Sequence, residues 1–190
     1  MRNALALVAV LLTAPLLSGC FGMAAAGLGA SVMIAGDRRT AGVYIEDENI
    51  EWKALALVRE RFPSAHVNAT SYNRRLLLTG EVSDEGARGA LAEAARGIAS
   101  VREVVNELTV GANSSVTARG NDSLVTSNVK ARMIGNGKFS PNHVKVVTEA
   151  GVVFLLGLVS ETEADAAVEI ARGTAGVTRV VKAFETIKPN

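Results

Sequence analysis

Few residues of this chain carry groups that do covalent or metal chemistry. Among 190 residues there is one cysteine, Cys20, and there are two histidines, His66 and His143. A catalytic thiol or a zinc site needs Cys and His partners at suitable spacing, and Cys20 stands far from both histidines. His66 and His143 take equivalent places in two repeated segments, at the start of a strand-like run. They are therefore not expected to converge on one metal or substrate, and neither metal nor cofactor is expected. Ser83 and Ser160 each precede acidic residues and read as helix caps, not nucleophiles. The acids of Glu161-Thr162-Glu163-Ala164-Asp165 fall in a helix's first turn, where the helix dipole favours them. No glycine pattern of the phosphate-cradling type occurs. The chain reads as non-enzymatic.

What remains is the chemistry of Cys20. Met1-Arg2-Asn3 supplies one positive charge, Ala4 to Leu17 is uncharged, and Ser18-Gly19 ends the run in small residues. That is the layout of a secretory signal over residues 1–19. The run is shorter than the roughly 20 apolar residues of a spanning helix. A buried N-terminal helix is the alternative, and Pro15 opposes it. Leu17-Ser18-Gly19-Cys20 resembles a bacterial lipobox. This resemblance implies a diacylglyceryl thioether on Cys20, cleavage just before it, and acylation of the freed amine, for example by palmitate. Several acyl chains on one residue make a stable anchor, where a single chain is marginal. A free or intermolecular thiol is the competing reading. Residue 21 is Phe rather than Asp, which by resemblance to the sorting pattern of enterobacterial lipoproteins implies delivery to the outer membrane.

Loss of Arg2 with the signal leaves nineteen basic and nineteen acidic residues. A neutral chain has no long-range attraction for nucleic acid, and any lipid contact must come from a local patch. Phe21 to Gly36 (FGMAAAGLGASVMIAG) is uncharged and rich in Gly and Ala, so residues 20–45 read as an acylated N-terminus and tether. The Gly/Ser/Asn/Thr-rich stretch from Gly111 to Gly120 reads as a linker, placed at 113–120.

The linker separates two copies of one unit. Ala95 to Val105 (ARGIASVREVV) recurs as Ala171 to Val181 (ARGTAGVTRVV), with seven of eleven positions identical at an offset of 76. Gly80-Glu81-Val82-Ser83 pairs with Gly157-Leu158-Val159-Ser160 at 77, as though the intervening helix differed by one residue, and Asp47 pairs with Asp122 at 75. In each copy a helical pattern (Asp47 to Phe62; about Asp122 to Ile134) precedes two strand-like runs (67–71 and 75–82; 143–148 and 152–159). A second helix and a last strand (102–110; 178–187) follow. The order α-β-β-α-β, twice, predicts an α+β fold. In it, two tandem units each pack a three-stranded mixed sheet on two helices. Val152 to Val159 (VVFLLGLV) has the apolar run of a central strand. With no second cysteine to staple them, the units are expected to fold separately.

The lipobox, the duplicated αββαβ order, and the motifs Asp37-Arg38-Arg39-Thr40, Tyr72 to Gly80 (YNRRLLLTG) and Val144 to Val159 (VKVVTEAGVVFLLGLV) resemble the dual-BON-domain outer-membrane lipoproteins. The resemblance covers essentially the whole chain, with BON units at 46–112 and 121–188. It implies a non-catalytic, periplasm-facing outer-membrane protein that binds anionic phospholipid through its second domain and supports envelope integrity.

The first helix of the second copy is where such binding would sit. Val125, Val129 and Met133 form a core stripe. Leu124, Ser127, Ala131 and Ile134 form a second stripe that the same core cannot bury. Lys130 flanks it and Lys138 lies just beyond. From Asn121 to Lys138 there are three basic residues and one acidic, against three and four from Asp47 to Phe62. An apolar stripe with basic flanks suits a lipid headgroup layer. Packing on the other unit, or docking of an outer-membrane assembly partner, would use the same stripe. Leu124 stands where relatives carry tryptophan. Trp52, on the first helix of the first copy, is expected at the rim of the core or in contact with the second unit, with the membrane as the alternative.

Overall fold

The computed structural model describes residues 36–188. The expected signal peptide, Cys20 and most of the expected tether lie outside the described residues. Asp37–Asn190 forms one compact unit. The elements are α1 (Ala41–Arg61), β1 (His66–Tyr72), β2 (Arg75–Val82), α2 (Glu85–Arg96), β3 (Glu103–Val110), α3 (Val116–Ile134), β4 (Val144–Glu149), β5 (Val152–Val159), α4 (Glu161–Arg172) and β6 (Arg179–Thr186). Each half is αββαβ. Its sheet runs β1-β2-β3 or β4-β5-β6, with the hairpin antiparallel and the strand across the helix parallel.

The duplicated residues mark the places where this unit has no conformational choice. Both hairpins turn through two residues in the left-handed region, Asn73-Arg74 and Ala150-Gly151. Such turns match the twist of the strands, but non-glycine residues resist the conformation. A buried aspartate on the preceding helix supports each. Asp47 accepts from Asn73 N and Arg74 N (2.8 and 2.7 Å), and Asp122 accepts from Ala150 N and Gly151 N (3.0 and 2.8 Å). The paired glycines serve close strand approach. A Cβ at Gly80 or Gly157 would lie 2.1 or 2.3 Å from the carbonyl oxygen of His66 or His143.

Several boundaries differ from expectation. Both first helices begin upstream, at Thr40 and Ser115, whose hydroxyls accept from Val43 N and Ala118 N. Residues 41–45 of the expected tether and 116–120 of the expected linker are therefore helical. Capping hydroxyls outweigh the sparse apolar pattern of those first turns. Asp84, not Ser83, caps α2, whereas Ser160 caps α4 in a full capping box with Glu163. Both second helices have twelve residues. The one-residue offset lies in the loop before them, not in the helix. His143 closes a 3-10 turn (Pro141–His143) ahead of β4 and does not begin the strand.

Strand alternation gives each sheet two faces. Leu76, Leu78 and Val82 of β2 pack with Ile50, Ala54 and Leu91 of their own helices. Val153, Leu155 and Val159 of β5 pack with Val129, Met133 and Ala167 of theirs. The opposite faces meet each other. Tyr72 and Leu77 from the first sheet share a buried cluster with Phe154, Leu156 and Ala183 from the second. VVFLLGLV is apolar throughout because both of its faces are covered, one of them by the other unit. Separation of the units would expose Leu77, Phe154 and Leu156, so folding of either unit alone would carry that cost. Polar ties border the cluster: Lys145 Nζ to Glu51 Oε1 (2.7 Å) and Asn73 Nδ2 to Glu185 Oε1 (2.9 Å).

The segment before α1 also spans both units. Arg39 pairs with Asp37 and Asp47 and lies over the Tyr72 ring, 4.0 Å from its centroid. Arg38 donates to Leu158 O (2.7 Å) and to both oxygens of Glu163 (2.7 and 3.0 Å). That bidentate bond is the largest influence holding the Glu163 carboxyl down at about 2, from an ordinary 4.5. A carboxylate depressed in the folded state contributes stability above its unfolded pKa and loses it as pH falls through the folded one. The melting-temperature gap between parent and Arg38→Ala is therefore expected to be full at neutral pH, to shrink below about pH 4.5, and to close near pH 2. A gap that stays constant over that range would assign the role of Arg38 to its bond with Leu158 O.

Candidate functional site

The helix α3 is held from one side only. Val125, Val129 and Met133 are buried against β4, β5 and α4, and Asp122 is buried under the β4–β5 turn. With that face committed, the other must point outward. Leu124 is 64% exposed and Ile134 72%, and Ser127, Ala131 and Lys130 are exposed between them. Within the chain this stripe is not covered by the other unit.

The early start of α3 lengthens the stripe. Val116, 80% exposed, lies eight residues before Leu124 and eighteen before Ile134, on the same side. At 1.5 Å per residue the apolar edge runs about 27 Å. Sequence reasoning missed Val116 by placing it in a linker; the signal available was the Ser115 cap. The hydroxyl of Ser127 is turned back onto Ser123 O (2.9 Å), which lowers the polarity of the edge. Beside Leu124 lies an open groove lined by Ala118, Asn128, Gly151, Ala175 and Gly176.

The charges sort differently from the sequence count. Arg132 is docked on the carbonyl of Gly173 and on Thr174 Oγ1 (3.0 Å), and Asp122 is spent on the turn. Lys130 has no ion pair among the described residues. Lys138 reaches Glu169 only at 3.8 Å with both groups in water, a pairing of little weight. The free charge along this edge is positive.

Trp52 is 65% exposed, so it is not buried against the second unit. Ile45, seven residues earlier on the same side of α1, is 60% exposed. No helix among the described residues is long and apolar enough to cross a membrane.

The histidines part company. His143 Nδ1 lies 3.4 Å from Glu163 Oε1, beside Arg38. His66 stands at the interface between the units, with Nδ1 2.8 Å from Glu81 Oε2 and 3.9 Å from Glu149 Oε1 of the second unit. Burial pushes the Glu149 carboxyl above its ordinary range.

The family model for the BON domain matches residues 47–112 and 121–188. The chain is 38% identical over 182 residues to the outer membrane lipoprotein DolP of Haemophilus influenzae, covering 94% of each chain. The chain belongs to the dual-BON-domain outer-membrane lipoprotein family. It is also 33% identical to the 21 kDa hemolysin of Actinobacillus pleuropneumoniae over 80% of each chain. With osmotically-inducible protein Y of Escherichia coli it shares 28% identity, over 76% of this chain and 75% of that one. The conformational constraints of the BON unit are thus visible twice in one molecule: the aspartate under the hairpin turn and the glycine beneath a neighbouring carbonyl. The exposed edge of α3 is not among them. At the offset of 75, Leu124 and Ile134 fall on Asn49 and Arg59 of α1, whose own exposed apolar residues are Ile45 and Trp52.

Proposed function

We propose that this protein is a non-catalytic lipoprotein held by acylated Cys20 on the periplasmic face of the outer membrane. In this reading the α3 edge of the second BON domain binds anionic phospholipid and so supports envelope integrity. The observation that carries the reading is the uncovered stripe Val116, Leu124, Ala131 and Ile134, with Lys130 free beside it. Family membership supports the location. Burying one such aliphatic side chain is worth roughly 1.5–3 kcal/mol, and each lysine near an anionic surface adds about 1 kcal/mol.

Co-sedimentation of residues 37–190 with phosphatidylglycerol-containing liposomes tests it, because this piece lacks the acylated residue that would insert by itself. Leu124→Asp is expected to remove binding while the fold stays intact, since the side chain is 64% exposed and outside the core. Neutralising Lys130 and Lys138 should weaken binding less. Added salt should imitate the lysine changes but not the leucine change. The groove beside Leu124 favours a second reading, in which a side chain of an outer-membrane assembly partner docks there. Unchanged liposome binding by Leu124→Asp, with loss of a pulled-down partner, would decide for that reading.

A further inference from the structure

We propose that the polar edge of the interface between the BON domains is a site for one divalent transition-metal cation, of the Zn2+ type, held by His66, Glu81 and Glu149. One ligand atom from each of the three lies within 4.8 Å of the others. They arrive from different directions. His66 and Glu81 are cross-strand partners on β1 and β2, and Glu149 ends β4 of the other domain. Both carboxylates are buried, with a single imidazole between them.

The hydrogen bonds leave a cation-shaped deficit. Glu149 Oε2 accepts from Asn68 Nδ2 (2.8 Å) and, weakly, from Thr79 Oγ1 (3.4 Å). Its Oε1 has no hydrogen bond among the described residues, and His66 Nδ1 is 3.9 Å away. Glu81 Oε2 accepts from Ser114 N (3.1 Å). An open cavity of about 520 Å³ meets the cluster and leaves room for water to complete a coordination shell. The other charged groups lining it are Asp122, committed to the hairpin turn, and Arg119, exposed and bonded to Ser114 O. Carboxylates therefore outnumber cations around the space.

Zinc binds imidazole nitrogen and carboxylate oxygen at about 2.0–2.2 Å, so side-chain shifts of about 1 Å would bring the three donors onto one ion. An imidazole-plus-carboxylate set suits zinc and its neighbours better than magnesium or calcium, which prefer oxygen alone. The metal takes the Nδ1 lone pair. A proton on that nitrogen, now shared with Glu81, must leave to solvent or the ring must carry its proton on Nε2. Two ligands belong to the first domain and one to the second, so occupancy would tie the domains together. The second copy lacks this cluster: Leu158 stands in the place of Glu81, and the glutamate near His143, Glu163 of α4, already has both oxygens taken by Arg38.

Isothermal titration of the full chain in detergent with Zn2+, beside Mg2+, tests the site. One Zn2+ per chain is expected, with a rise in melting temperature and no comparable response to Mg2+. His66→Ala and Glu149→Gln should each weaken Zn2+ binding about tenfold or more, and His143→Ala should leave it unchanged. If His66→Ala does not fold by circular dichroism, Glu149→Gln, nearly identical in shape, carries the comparison. Absence of saturable Zn2+ binding, or binding equally tight in folded Glu149→Gln, overturns the proposal.

Discussion

Gly80→Ala is expected to cost about 3–5 kcal/mol of stability, a large part of the total for a small protein. Two penalties combine. The new Cβ would lie 2.1 Å from His66 O and 3.0 Å from His66 C, so β1 must move away from β2. The backbone at Gly80 also has φ +111°, which side-chain-bearing residues rarely adopt. Gly157→Ala supplies the comparison. Its Cβ would meet His143 O at 2.3 Å but carries no positive-φ penalty, so it is expected to cost less, about 1–3 kcal/mol. Urea denaturation of the two variants beside the parent measures both numbers. A Gly80→Ala loss below that of Gly157→Ala would show that the backbone relaxes there without strain.

Phe154→Ala should cost about 3–5 kcal/mol and should be felt in both domains. Phe154 is 3% exposed and packs in the cluster that joins the two sheets. The cavity left behind removes contacts from Leu77 and Tyr72 of the first BON domain as much as from Leu156 of its own. Native-state hydrogen exchange distinguishes the possibilities. Protection of β2 amides in the first domain is expected to fall together with that of β5. If β5 loses protection while β2 keeps it, the two domains are independent after all.

Both expectations turn on features whose residues, but not whose reasons, were visible in the chain. The pairings Asp47 with Asp122 and Gly80 with Gly157 stood out as a repeat. Their roles under a left-handed turn and against a carbonyl needed coordinates. The run Val152 to Val159 announced a central strand, and half of its apolar character turned out to serve the neighbouring domain. At the candidate site, Leu124, Ser127, Lys130, Ala131 and Ile134 were found by helical period. Val116 escaped because its helix begins with residues of loop-like composition, and Arg132 was counted as a free charge although it is docked on Gly173 and Thr174.

The sequence by itself determined everything that depends on near neighbours along the chain. The lipobox pattern, the duplication, the αββαβ order and the two-faced α3 follow from short-range composition and from the periods 3.6 and 2 that backbone geometry imposes. Only the tertiary structure decided which sheet face meets which. That contact turns Leu77 and Phe154 into one core, holds Arg38 against Glu163, leaves Trp52 in water, and carries Glu149 to His66 across 83 residues of chain. The reason is physical: alternation tells which residues share a face, but an interface between two sheets is selected by the fit of both faces at once.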